Sequence, residues 1–192
     1  PLAHPRTVHW SGRDIYPSKL GSGKRLRGIA FAENWSESGI DYEVVVPPLA
    51  RNVTFTQMPV WAVNPLLMHD VVSGFKLWRC HERFAGAFSF PFRFRRMDLR
   101  GPVPKEGAQL NCYLRLTGVT PRSHLCDITV TDGNGGVAME VDGWEEITER
   151  VPKEFCEMVL QPATRFISES VPKEVFGDPG TDVASAVITE VP

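Results

Sequence analysis

Asn64-Pro65-Leu66-Leu67-Met68-His69-Asp70-Val71-Val72-Ser73-Gly74-Phe75-Lys76-Leu77-Trp78-Arg79-Cys80 is the one long helix that this chain predicts, and strand-like segments lie on either side of it. Asn64 suits an N-cap, where its side-chain oxygen takes an otherwise orphaned backbone N–H. Pro65 then occupies the first helical position, where a missing N–H costs nothing and a fixed φ helps. At about 100° per residue, Leu67, Met68, Val71, Val72, Phe75 and Trp78 fall on one broad apolar arc, with Gly74 at its edge. Asp70 falls just beyond that edge, and His69 points nearly the opposite way. A mid-helix glycine costs roughly 1 kcal/mol relative to alanine, so Gly74 predicts close approach of the helix backbone to a sheet. Asp70 has two readings at this point. It is either an acid/base group on the border of an apolar face, its pKa raised by burial and lowered by the helix dipole, or a solvated carboxylate on the helix flank.

The bulk properties are those of an ordinary soluble globular protein, with 42% apolar and 23% charged residues. A length of 192 residues predicts one domain with room for an extra segment. A net charge of −2 makes no electrostatic case for nucleic acid or an anionic membrane as partner. The basic run Arg93, Arg95, Arg96 and Arg100 alternates with Phe92, Phe94 and Leu99, as along one face of a strand. Cys80, Cys112, Cys126 and Cys156 form no C-x-x-C pair and no cluster with histidine, so no metal site is expected. No apolar run reaches the ~18 residues of a membrane-spanning helix. The N-terminus has no signal-peptide pattern, and the expected setting is a reducing cytoplasm.

Residues 1–23, rich in Pro, Gly and Ser, read as an irregular lead-in. His9, Gly12 and Pro17 lie close together there, although a histidine on such a leader is more often exposed and idle. Residues 24–33 and 41–47 read as strands, and 53–61 as a further short strand or an extended approach to the helix. After the helix come strand candidates at 88–99, 108–118, 123–131 and 136–147. Asp132-Gly133-Asn134-Gly135-Gly136 between the last two predicts a hairpin turn. Residues 149–192 read as a C-terminal extension or linker, with a short helix within 153–168. The resulting pattern for residues 24–148 is α+β. An antiparallel sheet wrapped around one long central helix, the hot-dog fold, satisfies it with the fewest assumptions. His81 at the helix C-terminus, His124 at a strand start and Trp144 in a strand have ordinary structural explanations.

Several motifs resemble the second half of polyketide-synthase and polyunsaturated-fatty-acid-synthase dehydratase domains. They are Phe90-Pro91-Phe92-Arg93-Phe94, Asp98-Leu99-Arg100-Gly101-Pro102-Val103-Pro104, Gly107, Cys112, Asp127, Asp132-Gly133 and Gly143-Trp144. Asp14-Ile15-Tyr16-Pro17 with Gly23-Lys24-Arg25 looks like the lead-in to that family's second hot dog, and Pro65-Leu66-Leu67 with Asp70 like its helix. The resemblance spans about residues 13–165. Two departures stand out. The family's catalytic Asp follows the helix proline by four residues, where this chain has His69, with Asp70 one later; the family's Gln or His further on corresponds to Gly74 or Ser73. The family's catalytic His, in H-x-x-x-G-x-x-x-x-P, belongs to the first hot dog, which this chain lacks, and His9 to Pro17 is one residue short of that pattern.

The resemblance implies a dehydratase acting on 3-hydroxyacyl thioesters, with substrate delivered on the phosphopantetheine of an acyl carrier protein and no other cofactor. It implies Asp70 or His69 as the catalytic group, substrate contacts at Gly74, Pro91 and Phe92, and a second hot-dog domain or protomer as partner. Dehydration needs a base for the C2 proton, an acid for the departing C3 hydroxyl, and a donor to polarise the thioester carbonyl. A His–Asp pair serves both proton transfers, beside an apolar slot for the acyl chain. Two alternatives stay open: a non-catalytic hot dog that binds an acyl chain or holds neighbouring domains, and a hot-dog thioesterase whose carboxylate directs water.

Overall fold

The computed structural model of this chain describes residues 1–18, 20, 26–49, 61–79 and 87–150. The central helix forms where the sequence predicts it. It spans Pro65–Arg79, and the Asn64 side-chain oxygen accepts from the N–H groups of Leu66 at 2.9 Å and Leu67 at 3.3 Å. The Asn64 amide also donates to the Pro47 carbonyl at 3.0 Å, so the cap ties the helix start to the end of a strand. In chain order the elements are β1 (Arg6–Ser11), α1 (Gly12–Ser18), β2 (Ile29–Ser36), β3 (Gly39–Val45), α2 (Pro65–Arg79) and β4 (Ala87–Arg93), followed by β5 (Arg96–Leu99), β6 (Gln109–Val119), β7 (Ser123–Thr131) and β8 (Val137–Arg150).

The strands form one sheet in the order β1-β2-β3-β6-β7-β8-β4, with β5 also paired to β8, and every pairing is antiparallel. The sheet wraps around α2, which packs chiefly on β3 and also meets β2, β6 and β7. This is the hot-dog arrangement. Its core interleaves Leu67, Val71, Phe75 and Trp78 of the helix with Trp35, Tyr42, Leu114 and Ile128 of the sheet. Each large side chain so buried contributes about 1.5–3 kcal/mol. Two indoles lock helix to sheet: Trp35 Nε1 donates to the Trp78 carbonyl at 2.9 Å, and Trp78 Nε1 donates to the Ser36 carbonyl at 2.8 Å.

Three expectations need correction. Residues 6–18 are not irregular: β1 pairs with β2, and at the start of α1 Asp14 reaches back to accept from the Ser11 N–H at 2.9 Å and the Ser11 hydroxyl at 2.6 Å. Ile15 and Tyr16 of α1 then close one end of the core. The predicted strand 88–99 is two strands, β4 and β5, both laid along the long β8. The buried helix face is turned toward Asp70: Asp70, Ser73 and Gly74 are buried, whereas Met68 and Val72 lie at its rim. Hydrophobic periodicity weights only apolar residues, so it misses a face that includes a carboxylate, a hydroxyl and a bare Cα.

The predicted turn at 132–136 forms, with Gly135 at φ +83° and Asp132 Oδ1 accepting from the N–H groups of Asn134 and Gly136, each at 2.8 Å. The basic run is neutralised by acidic neighbours: Arg93 pairs with Glu145 at 2.6 Å and Arg100 with Glu140 at 2.5 Å. No described helix is long and apolar enough to cross a membrane. The readings at 53–61, His81 and 153–168 fall on or largely on residues outside those described.

Candidate active site around Asp70

Asp70 is 1% exposed and faces the sheet from the second turn of α2. Three elements converge on its carboxylate. Gly28, just before β2, presents a bare Cα; a Cβ there would overlap Oδ2 and reach to 2.8 Å from Cγ. Tyr16 arrives from α1, its hydroxyl accepting from the Ile29 N–H at 2.7 Å. Tyr42 of β3 crosses the helix at Gly74 and donates to the Val71 carbonyl. Neither Asp70 oxygen has a hydrogen-bond partner of good geometry. Burial therefore pushes the Asp70 carboxyl up to about 6, while the Gly28 N–H and the Tyr16 hydroxyl hold part of that rise back. The same burial raises the Tyr16 phenol, with the Asp70 charge adding to it.

A carboxyl raised to about 6 keeps roughly a tenth of its protons at pH 7, far more than an ordinary carboxyl, and is poised to give or take a proton. That arrangement distinguishes the two candidates on the helix. Asp70 looks inward; His69 is half-buried elsewhere on the helix surface, its Nε2 3.5 Å from Ser73 Oγ, and burial and Lys76 lower its pKa. Gly74 is covered by the Tyr42 ring, which a methyl at that position would penetrate. Pro91 and Phe92 lie exposed on β4, at the far edge of the sheet from β1. Asp70 and Gly74 thus share one face of the helix, and Pro91 and Phe92 do not join them.

Neither of the two hollows found among the described residues lies beside Asp70. An apolar cavity of about 20 Å³, room for one water, lies at the helix N-terminus between Leu67, Val103, Leu110 and Met139. A hollow of about 250 Å³ opens over β2, β3 and β6, with Glu33, Asp41, Glu43 and Tyr113 around it. Neither is lined by Asp70. The Gly28 backbone lies directly against the carboxylate, and Tyr16 reaches it from α1.

Among the described histidines, His4 and His9 are exposed, and His124 is buried edge-on against Phe75 and Trp78. None of them acts on Asp70. Asp127 and Gly143 are explained by the fold: Asp127 Oδ1 accepts from the Gly143 N–H at 2.7 Å, which holds Gly143 at φ +62° opposite a bulge between β7 and β8. Sequence reasoning missed Tyr16, Gly28 and Tyr42. Gly28 alone carried a signal, since a glycine within a strand-like run marks close approach of another group; single tyrosines carry none. No group of described side chains is arranged to hold a metal ion.

Residues 10–146 match the family model of the polyketide synthase dehydratase N-terminal domain. No curated protein matches. Among solved structures, the dehydratase domain from the CurJ module of the curacin polyketide synthase is similar at 16% identity, over 74% of this chain and 50% of that one, with a TM-score of 0.58. The dehydratase domain of PpsC from Mycobacterium tuberculosis, in complex with C12:1-CoA, is similar at 22% identity over 78% and 55%, with a TM-score of 0.59. A trans-acyltransferase polyketide synthase enoyl-isomerase is similar at 14% identity over 76% and 57%, with a TM-score of 0.54. At these identities the likeness is one of fold. The chain spans about half the length of these solved relatives.

Proposed function

The chain belongs to the polyketide synthase dehydratase family, and on that premise we propose that it is the aspartate-bearing hot dog of a dehydratase that converts 3-hydroxyacyl thioesters on an acyl carrier protein to enoyl thioesters. The observation that carries this reading is the buried Asp70 carboxyl, raised to about 6 on the inner face of the central helix. In the proposed step a base removes the C2 proton and the C2=C3 bond forms. The C3–O bond breaks, and protonated Asp70 supplies the proton that lets the hydroxyl depart as water. The base is a histidine from a second hot dog, and the proton it gains returns to Asp70 between turnovers.

Assignment to the second half rests on the helix-borne Asp70 and the Gly143-Trp144 strand, whereas the matched family model is described as an N-terminal domain. The need for a second hot dog is supported by β4. Among the described residues this strand ends the sheet, and it exposes Phe90 and Phe92, with Phe94 just beyond it. Edge strands left open and apolar are templates for pairing with another chain or domain.

The 1% exposure of Asp70 supports a second reading, a hot dog that holds neighbouring domains without catalysis. Asp70→Asn in the assembled synthase decides between them. With a 3-hydroxyacyl-pantetheine thioester, the enoyl absorbance should appear about 10²–10⁴-fold more slowly in the variant. Unchanged turnover removes Asp70 from the chemistry. Release of free thiol in place of enoyl product indicates a thioesterase, and a displaced double bond an isomerase.

A further inference from the structure

The proposed mechanism uses Asp70 but leaves unexplained why a buried carboxylate sits against a backbone with no full hydrogen bond of its own. Tyr16 meets it at the same peptide. The Tyr16 hydroxyl oxygen accepts from the Ile29 N–H at 2.7 Å, and one residue earlier the Asp70 Oδ2 lies against the Gly28 Cα. Because the phenol oxygen is already an acceptor, its own proton is left to point elsewhere, and Asp70, held at the same Gly28–Ile29 peptide, is a buried acceptor with no hydrogen bond of its own. Tyr16 is itself 5% exposed, and the Arg27 guanidinium lies 5.4 Å over its ring, so the phenol is fixed from both sides. All of these residues fall within the family match.

We propose that Tyr16 is the positioning residue of this site: its hydroxyl, anchored on the Ile29 N–H, is placed to donate its proton to Asp70 and so sets both where the carboxyl lies and when it is charged. This rests on the dehydratase reading for its catalytic consequence, though not for the placement of the phenol. The groups that face Asp70 are Tyr16 from α1, the Gly28 N–H, Tyr42 from β3 and Cys112 from β6, with Arg27 acting on it through Tyr16. His69, its neighbour on α2, is directed elsewhere. Of these, Tyr16 and the Gly28 N–H stabilise the charged form, and Tyr16 alone can be edited without altering the backbone.

The test is a direct titration of the Asp70 side-chain carboxyl by ¹³C NMR on the full chain. Tyr16→Phe removes the donor and should move the midpoint up by about one pH unit. Incorporation of 3-fluorotyrosine at position 16 keeps the oxygen in place, makes the phenol a stronger donor, and should move the midpoint down. A purely structural Tyr16 would lower stability in the phenylalanine variant without moving either midpoint, and that result overturns the proposal. If Tyr16→Phe does not fold, the fluorotyrosine protein decides alone. Asp70→Asn turnover keeps the two claims apart. Lost turnover with unmoved midpoints defeats the Tyr16 role only, and unchanged turnover with shifted midpoints defeats the dehydratase reading only.

Discussion

At the scale of single residues, Asp70 and Gly28 form one unit. A carboxyl oxygen occupies the volume that any side chain at position 28 would need, so Gly28→Ala should displace Asp70 and reduce turnover in the assembled synthase by about 10²-fold. Wild-type turnover in that variant would show that the carboxyl is not held where it works. The raised pKa has a second consequence. Asp70 binds its proton more tightly folded than unfolded, so between the ordinary 3.8 and about 6 the native state holds more protons. Stability is therefore full below that window and falls as pH rises through it, by about 2–3 kcal/mol at completion. Asp70→Asn removes the buried charge and should be the more stable protein at pH 8, with the advantage vanishing by pH 4. Urea midpoints across that range check it, and an advantage independent of pH would contradict the assignment.

At the scale of elements, α2 depends on a cap at one end and a bare Cα in its middle. Asn64 satisfies two orphan N–H groups and ties the helix start to Pro47, so Asn64→Ala should cost about 1 kcal/mol. Gly74 is the more severe case. Alanine there is the better helix former by roughly 1 kcal/mol, yet its methyl would enter the Tyr42 ring. Packing should prevail, and Gly74→Ala should be destabilised by about 1–3 kcal/mol in urea unfolding. A stabilised variant would mean that Tyr42 swings clear of the helix. The same crossing places the Tyr42 hydroxyl on the Val71 carbonyl, one residue from Asp70, so helix, sheet and site share a single contact.

At the scale of the whole molecule, the sheet ends unequally. β1 at one edge is a short six-residue strand, whereas β4 at the other presents exposed Phe90 and Phe92, with Phe94 just past its end. The chain spans about half the length of the solved relatives, and among the described residues β4 ends the sheet, the edge on which the proposed second hot dog would build. Phe92→Glu should leave stability within about 0.5 kcal/mol, because the side chain is 59% exposed, yet weaken association with that partner domain. Sedimentation of the two together measures this; association at wild-type strength would place the interface elsewhere.

Much of the fold was legible in the sequence, because its signals are local. The Asn64-Pro65 cap, the glycine-rich turn at 132–136 and the alternation of β7 each depend on residues close in the chain. Gly74 could likewise be read as a point of close approach, since a mid-helix glycine is costly without one. Which group approached, and which side of α2 faced inward, depended on contacts between distant segments. Periodicity put Asp70 on the shoulder of the helix, whereas Gly28 and Tyr16, about 40 and 55 residues upstream, enclose it. A carboxylate's pKa is set by the water removed from it, and only the tertiary structure decides that.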